Sequence, residues 1–248
     1  MDLSIWQWTI AFLGAFLIGI SKTGIQGLGV FAVALFALIV PPRESVGLVL
    51  PILIAADVVA VTAYHQHAVW SHLWGLLPWA GIGIGLGYLA LGRINNQQAS
   101  VLIGGILMVL VALRVWRWRS PSDNADGTIS RAWWSVAGVG IIAGFTTMVA
   151  NASGPIMILY LLAMGLPKLE FVGTAAWFFF VVNLFKVPFS WSLGLINLNS
   201  LPLDLIVAPA AVGGALFGRQ VIAHINQKLF ERLMLLLTLL AAVKLLFS

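Results

Sequence analysis

The sequence predicts an all-α, polytopic membrane protein made of two homologous halves, each with about five hydrophobic segments, or about 8–10 membrane helices in all. Three observations predict it. Of the 248 residues, 61% are hydrophobic and 8% charged, against roughly 45–50% and about 25% in an average soluble domain. That leaves too little polar surface to coat a water-soluble globule, so the bilayer is the solvent for most of the chain. Apolar segments also follow one another with only short breaks, and the two halves match in an ordered way. The composition excludes a cytosolic enzyme, a nucleic-acid binder and a disordered scaffold. The net charge of +5 is no nucleic-acid signal, because the basic residues sit at the ends of apolar runs. With no cysteine there are no disulfides, thiolate metal sites or Cys nucleophiles, and nothing follows about compartment. No small-residue cleavage site follows the first apolar run, which is read as a helix that stays.

The segments fall at 5–21, 27–40, 45–64, 69–91 and 99–116, then at 133–149, 153–164, 171–191, 201–222 and 229–247. A span needs about 20 residues. The segments at 27–40 and 153–164 are short for a crossing, and each follows a helix that ends in small and polar residues. Broken or re-entrant elements of this kind are how transporters build a site at mid-membrane. The one hydrophilic stretch, 117–131, carries SPSDNADGT and reads as a flexible connector. The chain is therefore divided into a first transmembrane repeat (1–116), a cytoplasmic connector (117–131) and a second transmembrane repeat (132–248).

One offset places Gly19 on Gly144, Gln26 on Asn151, Gly29 on Gly154 and Pro42 on Pro167. An offset one residue longer places Gly47 on Gly173 and Asp57 on Asn183. A few residues more bring Gly83 onto Gly214, Gly87 onto Gly218, and Ile94 and Asn95 onto Ile225 and Asn226. Single pairs of this kind arise by chance among glycine-rich helices; an ordered set does not. With an odd number of crossings per half, the second half is inverted relative to the first. Joining the first two segments into one broken span would instead make the repeats parallel. Positive charge arbitrates, since cytoplasmic loops are enriched in Lys and Arg. The inverted arrangement puts Arg114, Arg117, Arg119 and Arg131 on the same face as Lys168, Arg219, Lys228 and Arg232, with the N-terminus outside. It leaves Arg43 and Arg93 facing outward without a reason.

The first candidate for chemistry is GISKTGIQGLG at 19–29. Gly, Ser and Thr break the helix, and a new helix start offers N–H donors that suit an anion. Ser21, Lys22, Thr23 and Gln26 lie there, with Lys22 adding a full positive charge. The bland alternative is that Lys22 snorkels from a helix end to the headgroups. The matched candidate is GFTTMVANASGP at 144–155, where Thr146, Thr147, Asn151 and Ser153 supply neutral donors and Pro155 marks a helix start. The glycines alone would fit close helix packing; Gln26 and Asn151 at matched positions favour a lined cavity. Asp57 lies inside an apolar run, where a carboxylate is expensive, and reads either as a proton site or as an ion-pair partner of Lys22. Asn183 at the matched position and Lys186 one turn on extend that polar spot, although Lys186 could also snorkel. His65, His67 and His72 lack carboxylate or Cys neighbours and read as a headgroup-level loop, so no metal is expected. Gly83 with Gly87, and Gly214 with Gly218, fit small-residue helix packing. The tryptophans read as interfacial anchors, and Trp177 with Phe178–Phe180 as apolar lining or lipid contact.

The two halves, the glycine-rich break early in each and the Pro-containing turns after them (Pro41 with Pro42, and Pro167) make the chain similar to the TauE/SafE family of membrane transporters, also called the toluene sulfonate uptake permease family. The resemblance covers essentially the whole chain. It implies movement of sulfite or organosulfur anions such as sulfoacetate, usually export, across the bacterial inner membrane. The residues by themselves say small anion. The reading is a multi-pass secondary transporter working by alternating access, with substrate held by helix ends, Ser21, Lys22, Thr23, Gln26, Thr146, Thr147, Asn151 and Ser153. Asp57, Asn183 and Lys186 serve coupling or ion pairing, with proton coupling through Asp57 and a homodimer left open. No Walker-type phosphate loop, hydrolase motif or pair of intramembrane aspartates is present, so neither ATP, a cofactor nor enzymatic activity is expected. Partners are the small anion and the lipid bilayer, not nucleic acid. An anion channel with the same pocket and a structural membrane subunit are the alternatives.

Overall fold

The computed structural model describes residues 4–36, 38–40, 42–91, 93, 97–98, 132–196 and 201–230, and singly 232, 233, 236, 239 and 240. The segment expected at 99–116, the connector at 117–131 and most of the segment at 229–247 lie outside the described residues. So do Arg114, Arg117, Arg119, Arg131, Ile94 and Asn95. Among the described residues all regular structure is helical. The helices are α1 (Ile5–Thr23), α2 (Leu28–Phe36), α3 (Pro42–Tyr64), α4 (Trp70–Leu91), α5 (Trp133–Ala150), α6 (Gly154–Ala163), α7 (Lys168–Ser192) and α8 (Leu201–His224), with a 3₁₀ turn at His65–His67 between α3 and α4. Six of them are long and apolar enough to cross a membrane, and α6 is a shorter apolar helix. The exposed faces of these helices carry Trp6, Trp74, Leu89, Trp133, Leu205 and similar side chains, which water would penalise and lipid does not. The protein is a multi-pass membrane protein.

The breaks have local causes. Gly24 ends α1, and Asn151 ends α5 in the left-handed conformation at φ 51°, which Asn tolerates better than most residues. Pro155 opens α6, where a missing N–H costs nothing. α2, at 9 residues, and α6, at 10, are too short to span. Each therefore forms a hairpin with the helix before it. Pro78 of α4 and Pro209 of α8 also occupy matched positions; neighbouring helices make an internal proline tolerable in a membrane.

The halves exchange helices. α1 packs most closely against α8, and α4 against α5. A methyl group on Gly19 would strike Ala211 and Ala215 of α8, and one on Gly144 would strike Ala80 of α4. Gly214 in turn meets Phe16, and Gly83 meets Ile141. These are matched contacts, made backbone to backbone, and only glycine allows so close an approach. Phe16 and Ile20 meet Gly214 and Gly218 in that order, so α1 and α8 run in the same direction. α4 and α5 do likewise, through Ala80 at Gly144 and Gly87 at Met148. Two apolar cores result. One combines α1, α2 and α3 with α8, around Ile18, Phe36, Ile52 and Val207. The other combines α5, α6 and α7 chiefly with α4, around Leu76, Ile84, Ile158 and Phe178.

Candidate functional site

The two hairpin breaks and the middles of α3 and α7 meet at the seam between these cores. Lys22, in the last turn of α1, is 8% exposed. Its Nζ lies 2.8 Å from Asp57 Oδ1 on α3 and 4.3 Å from the centre of the Phe179 ring on α7. It therefore points inward rather than to a headgroup layer. Asp57 is fully buried, and its other oxygen accepts a 2.6 Å hydrogen bond from Asn183 Nδ2. The two residues matched between the halves thus touch each other. A carboxylate at this depth is held by one ammonium and one amide, the pairing that a buried charge requires.

The second half builds its polar cluster differently. Thr147 stands where the first half has Lys22, and the cation sits instead on α7. Lys186 is fully buried and donates to Thr147 Oγ1 at 3.2 Å and to Asn151 Oδ1. Asn151 donates in turn to the Val46 carbonyl of α3 at 3.0 Å, a bond across the seam. Lys22 has a carboxylate partner; the bonds of Lys186 go to neutral oxygens.

A cavity opens between these groups. Ser21, Lys22, Gln26, Thr147, Asn151, Ser153 and Asn183 line it on the polar side, with Val30, Val33, Leu53 and Phe179 on the apolar side. Gln26 is 4% exposed, and neither its amide nitrogen nor its oxygen has a hydrogen-bond partner among the described residues. A buried amide in that condition carries a desolvation cost that a bound molecule can relieve. Asp57 and Lys186 do not line the cavity; they stand behind the residues that do.

Thr23 and Thr146 are placed elsewhere. Thr23 Oγ1 donates to Ala215 O on α8, and its carbonyl accepts from Tyr64 Oη at 3.1 Å, so it ties helices together. Thr146 Oγ1 donates back into its own helix, to Ile142 O at 2.8 Å. Backbone donors at the start of α2 are partly used as well, since Leu28 N–H bonds Ile25 O and Gly29 N–H bonds Gln26 O. The first hairpin thus offers the cavity side chains more than free backbone.

Val30, Val33 and Leu53 had no signal in the sequence, where every segment is apolar. Phe179 belongs to the aromatic run read as lining or lipid contact, and its ring faces a cation. Asp204, in the first turn of α8, is a further buried carboxylate; neither of its oxygens has a partner among the described residues, and it does not line the cavity. His72 Nδ1 lies 2.9 Å from Tyr160 Oη, while His65 bonds the Thr62 carbonyl. Among the described residues no group of three His, Asp or Glu is placed to hold a metal ion.

A cation backed by a carboxylate, an unpartnered amide and several hydroxyls, all facing one buried space, suit a small polar ligand with acceptor oxygens. No curated protein and no solved structure matches the chain. The model of the family described as sulfite exporter TauE/SafE matches residues 11–245, nearly the whole length, and the protein belongs to this family of membrane transporters.

Proposed function

We propose that the protein is a secondary transporter that exports a small sulfur-containing oxyanion, sulfite or an organosulfonate such as sulfoacetate, across the bacterial inner membrane. The observation that carries this reading is the seam cavity, where Lys22 faces Gln26 and the Gln26 amide has no partner among the described residues. The ammonium attracts the anion, and the Gln26 amide with Thr147 and Ser153 supplies neutral donors to its oxygens, while the Ser21 hydroxyl donates to the Gln26 main-chain carbonyl at 2.9 Å and holds the turn. Phe179, whose ring lies under the ammonium, and Leu53 add apolar lining. Alternating access would come from movement of the two cores about the seam.

The directions of the helices support an inverted relation between the halves. α1 ends beside the end of α3, where Tyr64 Oη donates to the Thr23 carbonyl. α4 starts from that side after the His65–His67 turn, and α5 runs with α4. α5 therefore runs opposite to its counterpart α1. This is the arrangement in which two equivalent broken elements approach one site from opposite faces.

Thermal unfolding of the purified protein with sulfite, sulfoacetate, sulfate or chloride tests the assignment, because a ligand that binds only the folded state raises its melting temperature. A sulfur oxyanion should raise it, Gln26→Ala should weaken the rise, and Lys22→Ala should abolish it. Gln26→Ala removes no side-chain hydrogen bond within the described protein, so it tests the site without disturbing the fold. No rise with any of the four anions would refute the proposal.

A further inference from the structure

The Lys22–Asp57 pair has a geometry that a simple anion trap would not need. Lys22 lines the cavity, whereas Asp57 stands behind it, fully buried, with Asn183 on its second oxygen. An anion entering from the cavity meets the ammonium from one side while the carboxylate holds it from the other. When the anion leaves, Lys22 is still paired. The seam holds two buried ammonium groups, Lys22 and Lys186, against the one carboxylate of Asp57. Without Asp57 the empty site would carry both with no counter-ion among the described residues around them, a state penalised heavily in a low-dielectric surrounding. The cores would then move past each other readily only while an anion was bound.

We propose that Asp57 is a tethered counter-ion that lets the empty transporter reorient, so that the protein carries out net export and not merely one-for-one exchange. This rests on the transport reading above and assigns Asp57 a role within it. Asp57 acts through Lys22 and is a positioning residue; it need not touch the substrate. Lys186 makes its hydrogen bonds to Thr147 and Asn151 within its own half, and the Asp57 carboxylate offsets its charge from a distance.

The test uses the full chain in proteoliposomes, with radiolabelled sulfite and, separately, sulfoacetate. Two rates are read: net efflux into anion-free medium, and exchange against the same anion outside. In the wild type both proceed. Asp57→Asn should retain exchange and lose net efflux by at least about tenfold, since an unpaired buried charge in one conformational step slows that step alone. Its melting temperature should also rise more than the wild type's on adding the anion, which then replaces the missing carboxylate.

Asp57→Glu keeps a carboxylate on α3, on the same core as Lys22, and should preserve the wild-type ratio of net efflux to exchange. If Asp57→Asn is not recovered folded, Asp57→Glu decides. A folded Asp57→Glu variant that exchanges without net efflux, or carries no anion, overturns the proposal. So does an Asp57→Asn variant whose ratio equals the wild type's. Absence of any anion flux in the wild type would overturn the transport reading and this inference together, whereas wild-type flux with an unchanged ratio overturns this inference alone.

Discussion

The two hairpins share a scaffold and differ in charge. Gly19 and Gly144 make equivalent close approaches, to α8 and to α4, and short helices follow both breaks. The polar positions do not repeat. The first hairpin carries a lysine and meets an aspartate on the third helix of its half. The second carries a threonine at the equivalent place, and its lysine sits on α7 with only neutral oxygens as partners. Packing positions are thus duplicated while chemistry is divided. A backbone crossing this close admits only glycine wherever it occurs, whereas a buried charge can sit on a different helix in each half as long as it finds partners there.

Substitutions should break this comparison unequally. Lys22→Met leaves Asp57 as a buried carboxylate without its cation and should cost about 3–5 kcal/mol in unfolding free energy measured in detergent. Lys186→Met removes a buried ammonium that has no carboxylate partner, trading two hydrogen bonds for apolar packing. Its expected cost is within about 1 kcal/mol, and equal costs for the two lysines would erase the contrast between the halves. The shared scaffold gives a sharper check, because Gly19→Ala and Gly144→Ala each drive a methyl into facing backbone. Both should destabilise by about 1–3 kcal/mol, and by amounts that agree with each other. Gly85 and Gly138 have open space where a methyl group would stand. Alanine at either should be neutral or stabilise by up to about 1 kcal/mol, through helix propensity alone.

Much of the architecture was legible because it follows from one-dimensional rules. Apolar runs, glycine breaks and Pro155 place the described helices within a few residues of the expected segments. What joins them was not legible. The packing of α1 on α8 and α4 on α5 depends on which glycine faces which carbonyl, and helix periodicity carries no such address. Within the site, the expense of a carboxylate in an apolar run was enough to single out Asp57, and the repeat pointed to Asn183. Thr23 and Thr146 could not be distinguished from Thr147 by composition, since three threonines near a break look alike until their rotation about the helix is fixed. Leu53 and Val33 carried no signal at all.

The sharing of α4 and α8 between cores has a mechanical consequence. Each core is built mainly from three helices of one half and the fourth helix of the other, with Val30, Tyr64 and Ile222 reaching into the larger one. In the proposed alternating-access cycle the bodies that move would then be these two cores and not the two repeats read in the sequence. The chain passes from one body to the other just after α3, at the His65–His67 turn, and again after α7, at the Gly194 turn with φ +68°. In that cycle the hinges would be these two turns, and not the polar stretch at the centre of the chain.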